Sequence, residues 1–284
     1  MKAIIIGTGN IGRAAAAAIQ QSQDIQLSGI YHHDDDLSHV SADVALLCTP
    51  TREVPTYAPI LLRQGICTVD SFDIHTDIYA LRQQLMPLCT EHQAVSVLSA
   101  GWDPGSDSIV RALMMALAPE GQTYTNFGPG RSMGHTVAAK AIPGVKDALS
   151  MTLPAGQGKH NRHVYIELEE GYNFDSVRQA LLQDDYFAHD HTEVELVPSV
   201  EALNTANHGV HIERNGISSG IDNQQLDFTM RINNPALTGQ FMVSCARAAV
   251  RMREAARYGA YTTIELALID LLPGTVEERI RTLV

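Results

Sequence analysis

Cysteine, positive charge and long apolar runs are all in short supply in this 284-residue chain, and each shortage excludes something. The four cysteines, Cys48, Cys67, Cys89 and Cys245, are scattered with no C-x-x-C pair. That leaves no disulfide framework and no zinc cluster, and it points to a reducing cytoplasm. Lysine and arginine total 20 against 32 acids, a formal charge of −12. Nucleic acid and anionic membranes repel such a chain, so neither is expected as its main partner. Leu266–Ile269 is bracketed by Glu265 and Asp270, and Ala3–Ile6 runs straight into Gly7, so no stretch reads as a bilayer span or a signal peptide. Internal repeats and low-complexity linkers are also missing. What is present, 45% apolar and 18% charged residues, suffices for a sizeable core, and the length suggests two domains.

The first hundred residues alternate short apolar runs with amphipathic stretches. Strands are predicted at Ala3–Ile6, Ile25–Tyr31, Val44–Cys48, Ile66–Asp70 and Val95–Ala100, with helices over Ile11–Gln21, Thr56–Gln64 and Ile78–His92. This order implies βαβ units and a parallel sheet buried on both faces. The short link between the second and third strands, which includes His32-His33-Asp34-Asp35-Asp36, leaves little room for a full crossover helix, so this connection is abbreviated. After Trp102, helices are predicted at Ser106–Ala118, Ser132–Ala141, Ala236–Arg257 and Glu277–Val284. Strands are predicted at Ala148–Leu153, His163–Leu168, Thr192–Val197, Val210–Arg214 and Leu226–Ile232, with turns at Asn215-Gly216 and Asn233-Asn234-Pro235. The expected division is a dinucleotide-binding domain over 1–101 and an α+β substrate and dimerisation domain over 102–274, the helix near 275–284 packing back on the first.

Gly7-Thr8-Gly9-Asn10-Ile11-Gly12 is G-x-G-x-x-G, placed after a strand and opening a helix. The first glycine permits a tight turn, the second lets a pyrophosphate approach the backbone, and the third allows close helix–strand packing. The helix N-terminus adds N–H donors and a positive dipole end. A Rossmann-type α/β domain follows from this motif in this context. Cys48-Thr49-Pro50, at the end of the third strand, joins the cofactor-contacting set. At the adenosine end, Tyr31-His32-His33-Asp34 shows neither an arginine nor an acid at the strand tip, which leaves NAD and NADP both open.

Ligands in open α/β sheets lie outside the carboxyl ends of the strands. Asp73, in Asp70–His75, and Trp102 and Asp103, in Ser99–Gly105, follow two such ends and could face a nicotinamide. Gly128–His135 is glycine-dense and so shaped by its backbone.

With these motifs the chain resembles the meso-diaminopimelate dehydrogenases. The matching residues are G-x-G-N-x-G at Gly7–Gly12, V-D-x-[FY]-D at Val69–Asp73, S-x-G-W-D-P-G at Ser99–Gly105 and G-P-G-x-S-x-G-H at Gly128–His135. I-P-G-V at Ile142–Val145, T-L-P at Thr152–Pro154, H-G at His208–Gly209, N-P at Asn234–Pro235 and G-A-[YF]-T at Gly259–Thr262 continue in order. The resemblance is to the shorter branch, which also accepts simpler D-amino acids. It implies NADP-dependent, reversible oxidative deamination at the D-centre of meso-2,6-diaminopimelate, giving L-2-amino-6-oxopimelate and ammonia, by a homodimer. It also implies that Asp73 and Asp103 lie near the reacting centre, that Phe127 forms an aromatic wall, and that Met133 and Gly134 line the site with backbone. Thr152, Arg162, His208 and Asn234 match groups that clasp the distal L-centre. In place of the family's arginines after the second strand stand Tyr31-His32-His33.

The chemistry suits these residues. Positive charge grows at nitrogen as hydride leaves, so a carboxylate there stabilises the transition state more than the neutral amine. Asp73 or Asp103 could also take the ammonium proton, and Arg162 offers a fork for a carboxylate. Trp102 and Phe127 could keep water from the hydride path. Histidine spacing suggests no metal site, and His135, His163 and His211 receive no role. Two alternatives stand beside this reading: a broad D-amino acid dehydrogenase on the same scaffold, and a non-catalytic dinucleotide sensor.

Overall fold

Aliphatic runs bounded by glycine, proline and acids become strands wherever both faces can be covered. The computed structural model describes residues 1–32, 34–203 and 208–284, without the side chains of Met133 and Ala202. In chain order the elements begin β1 (Lys2–Ile6), α1 (Asn10–Gln20), β2 (Gln26–Tyr31), β3 (Val44–Leu47), α2 (Val54–Leu62), β4 (Cys67–Asp70), α3 (Ile78–Glu91), β5 (Val95–Leu98) and α4 (Ser106–Leu117). They continue β6 (Glu120–Phe127), β7 (Gly130–Arg131), α5 (Met133–Lys140), β8 (Val145–Gly156), β9 (Lys159–Leu168), α6 (Phe174–Gln183), β10 (His191–Leu196), β11 (His208–Ser218) and β12 (Ile221–Ile232). The last are α7 (Asn234–Glu254), β13 (Gly259–Thr262), α8 (Leu268–Leu271) and α9 (Val276–Leu283).

One compact unit holds 1–112 and 234–284, the other 113–233. The boundaries drawn from the sequence therefore move. Residues 234–274 join the first unit because β13 pairs in parallel with β5 and extends its sheet, while α7 packs against α1. The short run Gly259–Thr262 carries no alternation that marks a strand, and β13 was not among the predicted elements. In α9, Arg279 donates to the Ile269 and Pro273 carbonyls, which ties the tail to the same unit.

The sheet of the first unit is entirely parallel, in the order β13-β5-β4-β3-β1-β2. Strand periodicity splits its aliphatics between two cores. Ala3, Ile5, Val44 and Leu46 meet α1 and α7, whereas Ile4, Ile6, Ala45 and Leu47 meet α2 and α3. Between β2 and β3 the described residues contain no helix. Among the described residues no helix is long and apolar enough to cross a membrane.

The second unit has two sheets, β10-β9-β8-β7 and β12-β11-β6. A core of Ala139, Val164, Ile166, Val177, Leu181 and Phe187 fixes α5 and α6 on the first of them. Asn215-Gly216 is not a turn. Both residues lie inside β11, opposite Gln225 and Gln224, and the reversal comes at Ser219-Gly220, both with positive φ. Gly216 is glycine because a Cβ there would lie 2.5 Å from the Glu120 carbonyl of β6. Asn233-Asn234-Pro235 leads out of β12 and straight into α7.

Candidate active site

The glycine loop is built as its motif requires. A Cβ on Gly7 would sit 2.4 Å from the Cys48 carbonyl oxygen, and one on Gly12 would sit 2.1 Å from that of Gly7. Gly9 faces open space and caps α1 without a side-chain hydrogen bond, so the first N–H groups of the helix remain for an anion. No acid stands in the first turn of α1. Arg13, which the motif does not include, donates to the Thr8 carbonyl (3.0 Å) and to Asn10 (2.6 Å), fixing the loop and adding positive charge. The Gly7 N–H donates to the Tyr31 carbonyl (2.8 Å) and the Cys48 N–H to that of Ile6 (2.8 Å), which draws three strand ends together. The Thr49 hydroxyl is buried without a hydrogen-bond partner. Burial pushes the Cys48 thiol up to about 12, so it contributes packing and backbone and no thiolate. An open glycine cradle, an uncapped helix end and an orphaned hydroxyl fit a dinucleotide. At the adenosine end the His32 N–H donates to Asp35 (2.7 Å), and His33 lies outside the described residues.

β4 and β5 end side by side on the same edge of the sheet. Asp70, fully buried, joins their loops: one carboxyl oxygen accepts from the Phe72 N–H (2.9 Å) and the Ser99 N–H (3.0 Å). Its other oxygen is buried without a partner, and burial raises its pKa from 3.8 to about 6. Three residues beyond Asp70, Asp73 is exposed, with its N–H donating to the Thr51 hydroxyl (2.9 Å). The Ser99–Gly105 loop closes on itself, Gly101 N–H to the Pro104 carbonyl (3.2 Å) and Ser106 N–H to that of Gly101 (3.0 Å), with Trp102 buried in it.

Asp103 does not stand alone. Arg111 on α4 donates to it (2.7 Å) and to Asp107 (3.1 Å), so one guanidinium holds both carboxyls. Burial, and then the charge of Asp103, raises the Asp107 pKa to about 8. Asp107 and Arg111 were missed in the sequence. Their signal was an acid and a base four residues apart just beyond Asp103, a spacing that stacks side chains on one helix face.

A pH test follows from Asp70. A carboxyl whose folded pKa is raised contributes stability that is whole below the unfolded value and lost as pH rises through about 6. Keeping it ionised at neutral pH costs about 3 kcal/mol. In Asp70→Asn, the fall in urea-unfolding free energy between pH 4 and pH 7 should shrink by about that amount. An unchanged slope would remove Asp70 as its source.

In the second unit, register assembles the other predicted residues. Thr152 on β8 lies opposite Arg162 on β9 and opposite Gly130 on β7. The Gly128 N–H donates to the Gly209 carbonyl (2.7 Å), which brings the strand of His208 to the same junction. Phe127, opposite Val210, sits edge-on to His160 with ring centroids 6.0 Å apart. Arg162, 8% exposed, donates through Nε to Asp190 (2.7 Å) and through one Nη to the Thr152 hydroxyl. Asp190, 28 residues away, gave no signal in the sequence. Burial, and then Arg131, holds the His208 pKa down.

Met133 opens α5, its side chain outside the described residues, and Gly134 beside it is exposed. His135, given no role from the sequence, contacts Ser132 (2.9 Å), Tyr186 and Phe187, and burial followed by Arg162 lowers its pKa. Asn234 falls in the first unit, where its amide oxygen accepts from Thr238 (2.8 Å). His211, Glu213 and Asp227 gather on adjacent strands with ligand atoms within 4.8 Å, a grouping that helical spacing does not reveal. His211 already contacts Asp227 (2.9 Å).

Comparison with known proteins adds the following. Residues 101–234 match the diaminopimelic acid dehydrogenase C-terminal domain family. The meso-diaminopimelate D-dehydrogenase of Bacteroides fragilis is 52% identical, over 100% of this chain and 99% of that one. Among solved structures, an engineered D-amino acid dehydrogenase shares 28% identity with a TM-score of 0.89, each chain covered completely. Its NADP+-bound form gives 0.76 at 28% identity, covering 100% of this chain and 99% of that one. The Corynebacterium glutamicum diaminopimelate dehydrogenase in complex with diaminopimelate gives 0.81 at 28% identity, with the same coverage.

Proposed function

The chain belongs to the meso-diaminopimelate D-dehydrogenase family, and from that membership we propose that it oxidatively deaminates the D-centre of meso-2,6-diaminopimelate with NADP, reversibly, to L-2-amino-6-oxopimelate and ammonia. The observation that carries the reading is a single sheet edge shared by an anion-ready glycine loop and by the loops bearing Asp73 and Asp103. Neither a broad D-amino acid dehydrogenase nor a non-catalytic sensor is favoured by the comparisons.

The glycine loop, Arg13 and Thr49 would hold the dinucleotide, which when bound supplies the hydride acceptor. Asp103, and beyond it Asp73, attend the D-centre amine: they favour the cation that grows as the C–N bond gains double-bond character, and Asp103 takes the ammonium proton. Trp102 and Phe127 exclude water. At the L-centre, Arg162 binds the carboxylate with the N–H groups that Asp190 and Thr152 leave, aided by Thr152 and His208. Asn234 keeps a second lone pair for the distal ammonium, and Met133 and Gly134 contribute backbone.

NADP+ and meso-diaminopimelate together should yield NADPH, faster as pH rises from neutral because the neutral amine reacts. No NADPH from meso-diaminopimelate or any D-amino acid would sink the reading. We assign a cytoplasmic homodimer. Leu113 and Leu117 on α4 are more than half exposed, and β12, which carries the half-buried Leu226, Phe228 and Met230, is an edge strand, both features that a second copy could cover. Sedimentation at twice the chain mass is expected, and a monomer at micromolar concentration would refute the assignment.

A further inference from the structure

We propose that Asp103 and Asp107 act as one proton-sharing pair bridged by Arg111, and that Asp107, a positioning residue behind Asp103, sets the proton affinity with which Asp103 takes the ammonium proton. The proposal rests on the deamination reading above and deepens it.

The geometry is specific. The Asp107 side chain has no exposed surface, while that of Asp103 is 12% exposed, so Asp103 alone of the two meets solvent. Arg111 Nη2 lies 2.7 Å from an Asp103 oxygen and Nη1 3.1 Å from an Asp107 oxygen. One guanidinium cannot neutralise two adjacent carboxylates, so one proton is shared between them. The Asp107 N–H also donates to the Trp102 carbonyl (3.2 Å), which pins the pair to the loop that carries Asp103.

The charged groups acting on Asp107 are Asp103 and Arg111. From the segment after β13, the group reaching this loop is the neutral Thr263 hydroxyl, which donates to the Gly105 carbonyl (3.1 Å). Glu265 beside it is taken up by Arg82 (2.6 Å) and the Thr262 N–H (2.8 Å).

An isolated surface carboxylate is too weak a base for an ammonium group. A doubly ionised pair is a stronger one, because the first proton it gains relieves the repulsion between two charges, one of them fully buried. In the step itself an N–H bond of the substrate ammonium breaks and its electron pair stays on nitrogen. The proton joins an Asp103 oxygen and is shared with Asp107, so the pair passes from two negative charges to one. Hydride then leaves carbon for NADP+ while the nitrogen electron pair closes a C–N double bond, and water adds to that carbon, so that the C–N bond breaks and leaves the oxo group and ammonia. In the reverse direction the same proton returns to the newly formed amine.

The pH profile of meso-diaminopimelate oxidation provides the test. Wild-type kcat/KM should rise through a step near pH 8. Asp107→Asn presents Asp103 with a permanent amide donor, as the protonated acid does. It should abolish that step and lower kcat on its alkaline side about 10- to 100-fold, with KM changed less than about threefold. Asp107→Glu should restore the step. A uniform loss at every pH, with the step retained in Asp107→Asn, would mean a structural role and overturn the proposal. Should Asp107→Asn fail to fold, carboxyl carbon NMR of the wild type decides. A resonance titrating above pH 7 and shifted in Asp103→Asn supports the pair, whereas every aspartate titrating below pH 7 refutes it. If the wild type forms no NADPH at all, the deamination reading has failed, while the NMR titration still reports on the pair.

Discussion

Asp103→Asn lowers kcat/KM for meso-diaminopimelate oxidation by about 10² to 10⁴, the range set by loss of a positioned acid–base group. Two arguments give a loss of this size. The carboxylate is held in place: Arg111 grips it, the Gly101–Gly105 loop closes on itself, and the neighbouring Trp102 is buried. Its charge is also partly withdrawn from water, so its effect on the growing cation is not screened away. Asp73→Asn serves as the internal comparison. Asp73 is exposed, and among the described residues no side-chain partner holds it, so its charge is screened and its loss costs about tenfold or less. NADPH affinity, read by fluorescence, stays within about twofold in both variants, because neither residue belongs to the glycine loop. A larger loss from Asp73→Asn than from Asp103→Asn would reverse the assignment of the proton acceptor.

What was legible in the sequence follows from the range of the interactions. β1 and β3 were readable because burial on both faces leaves an uninterrupted aliphatic run, as in Ala3–Ile6 and Val44–Leu47, whereas the outermost strand β2 alternates exposed and half-buried residues. The glycine loop was readable because its demands are steric and local to six residues. β13 was hidden, since Gly259–Thr262 becomes a strand only by pairing with β5, more than 150 residues earlier in the chain. Gly216 misled because a glycine that admits a neighbouring strand looks, in sequence, like one that turns a chain. The same limit governs the site. Asp73, Asp103 and Arg162 were found, but the groups that tune them were not. Asp70 binds two loops through backbone N–H groups, Asp107 matters because it is buried, and Asp190 reaches Arg162 across paired strands. None of those three relations is written in the residue types alone.

Arg162→Ala divides the substrates. For meso-diaminopimelate, kcat/KM falls by about 10² to 10³, equivalent to about 3 to 4 kcal/mol, because the distal carboxylate loses a charge-assisted partner that is itself largely buried. For D-alanine, which has no distal carboxylate, the same substitution costs less than about fivefold. The asymmetry follows from how the side chain is held. Asp190 fixes Nε, the Thr152 hydroxyl takes one Nη proton, and the strands of Thr152 and Arg162 are in register, so the guanidinium is aimed before any substrate arrives. Lysine cannot inherit the position: it would place a single ammonium where a planar fork stands, so Arg162→Lys recovers only part of the loss. The truncation also leaves Asp190 facing an unfilled space. That defect is structural and burdens both substrates equally, which is why the ratio of their losses, and not either loss alone, measures recognition of the L-centre. Equal losses on meso-diaminopimelate and D-alanine would take Arg162 out of the clasp and return it to the structural ion pair that its contact with Asp190 also describes.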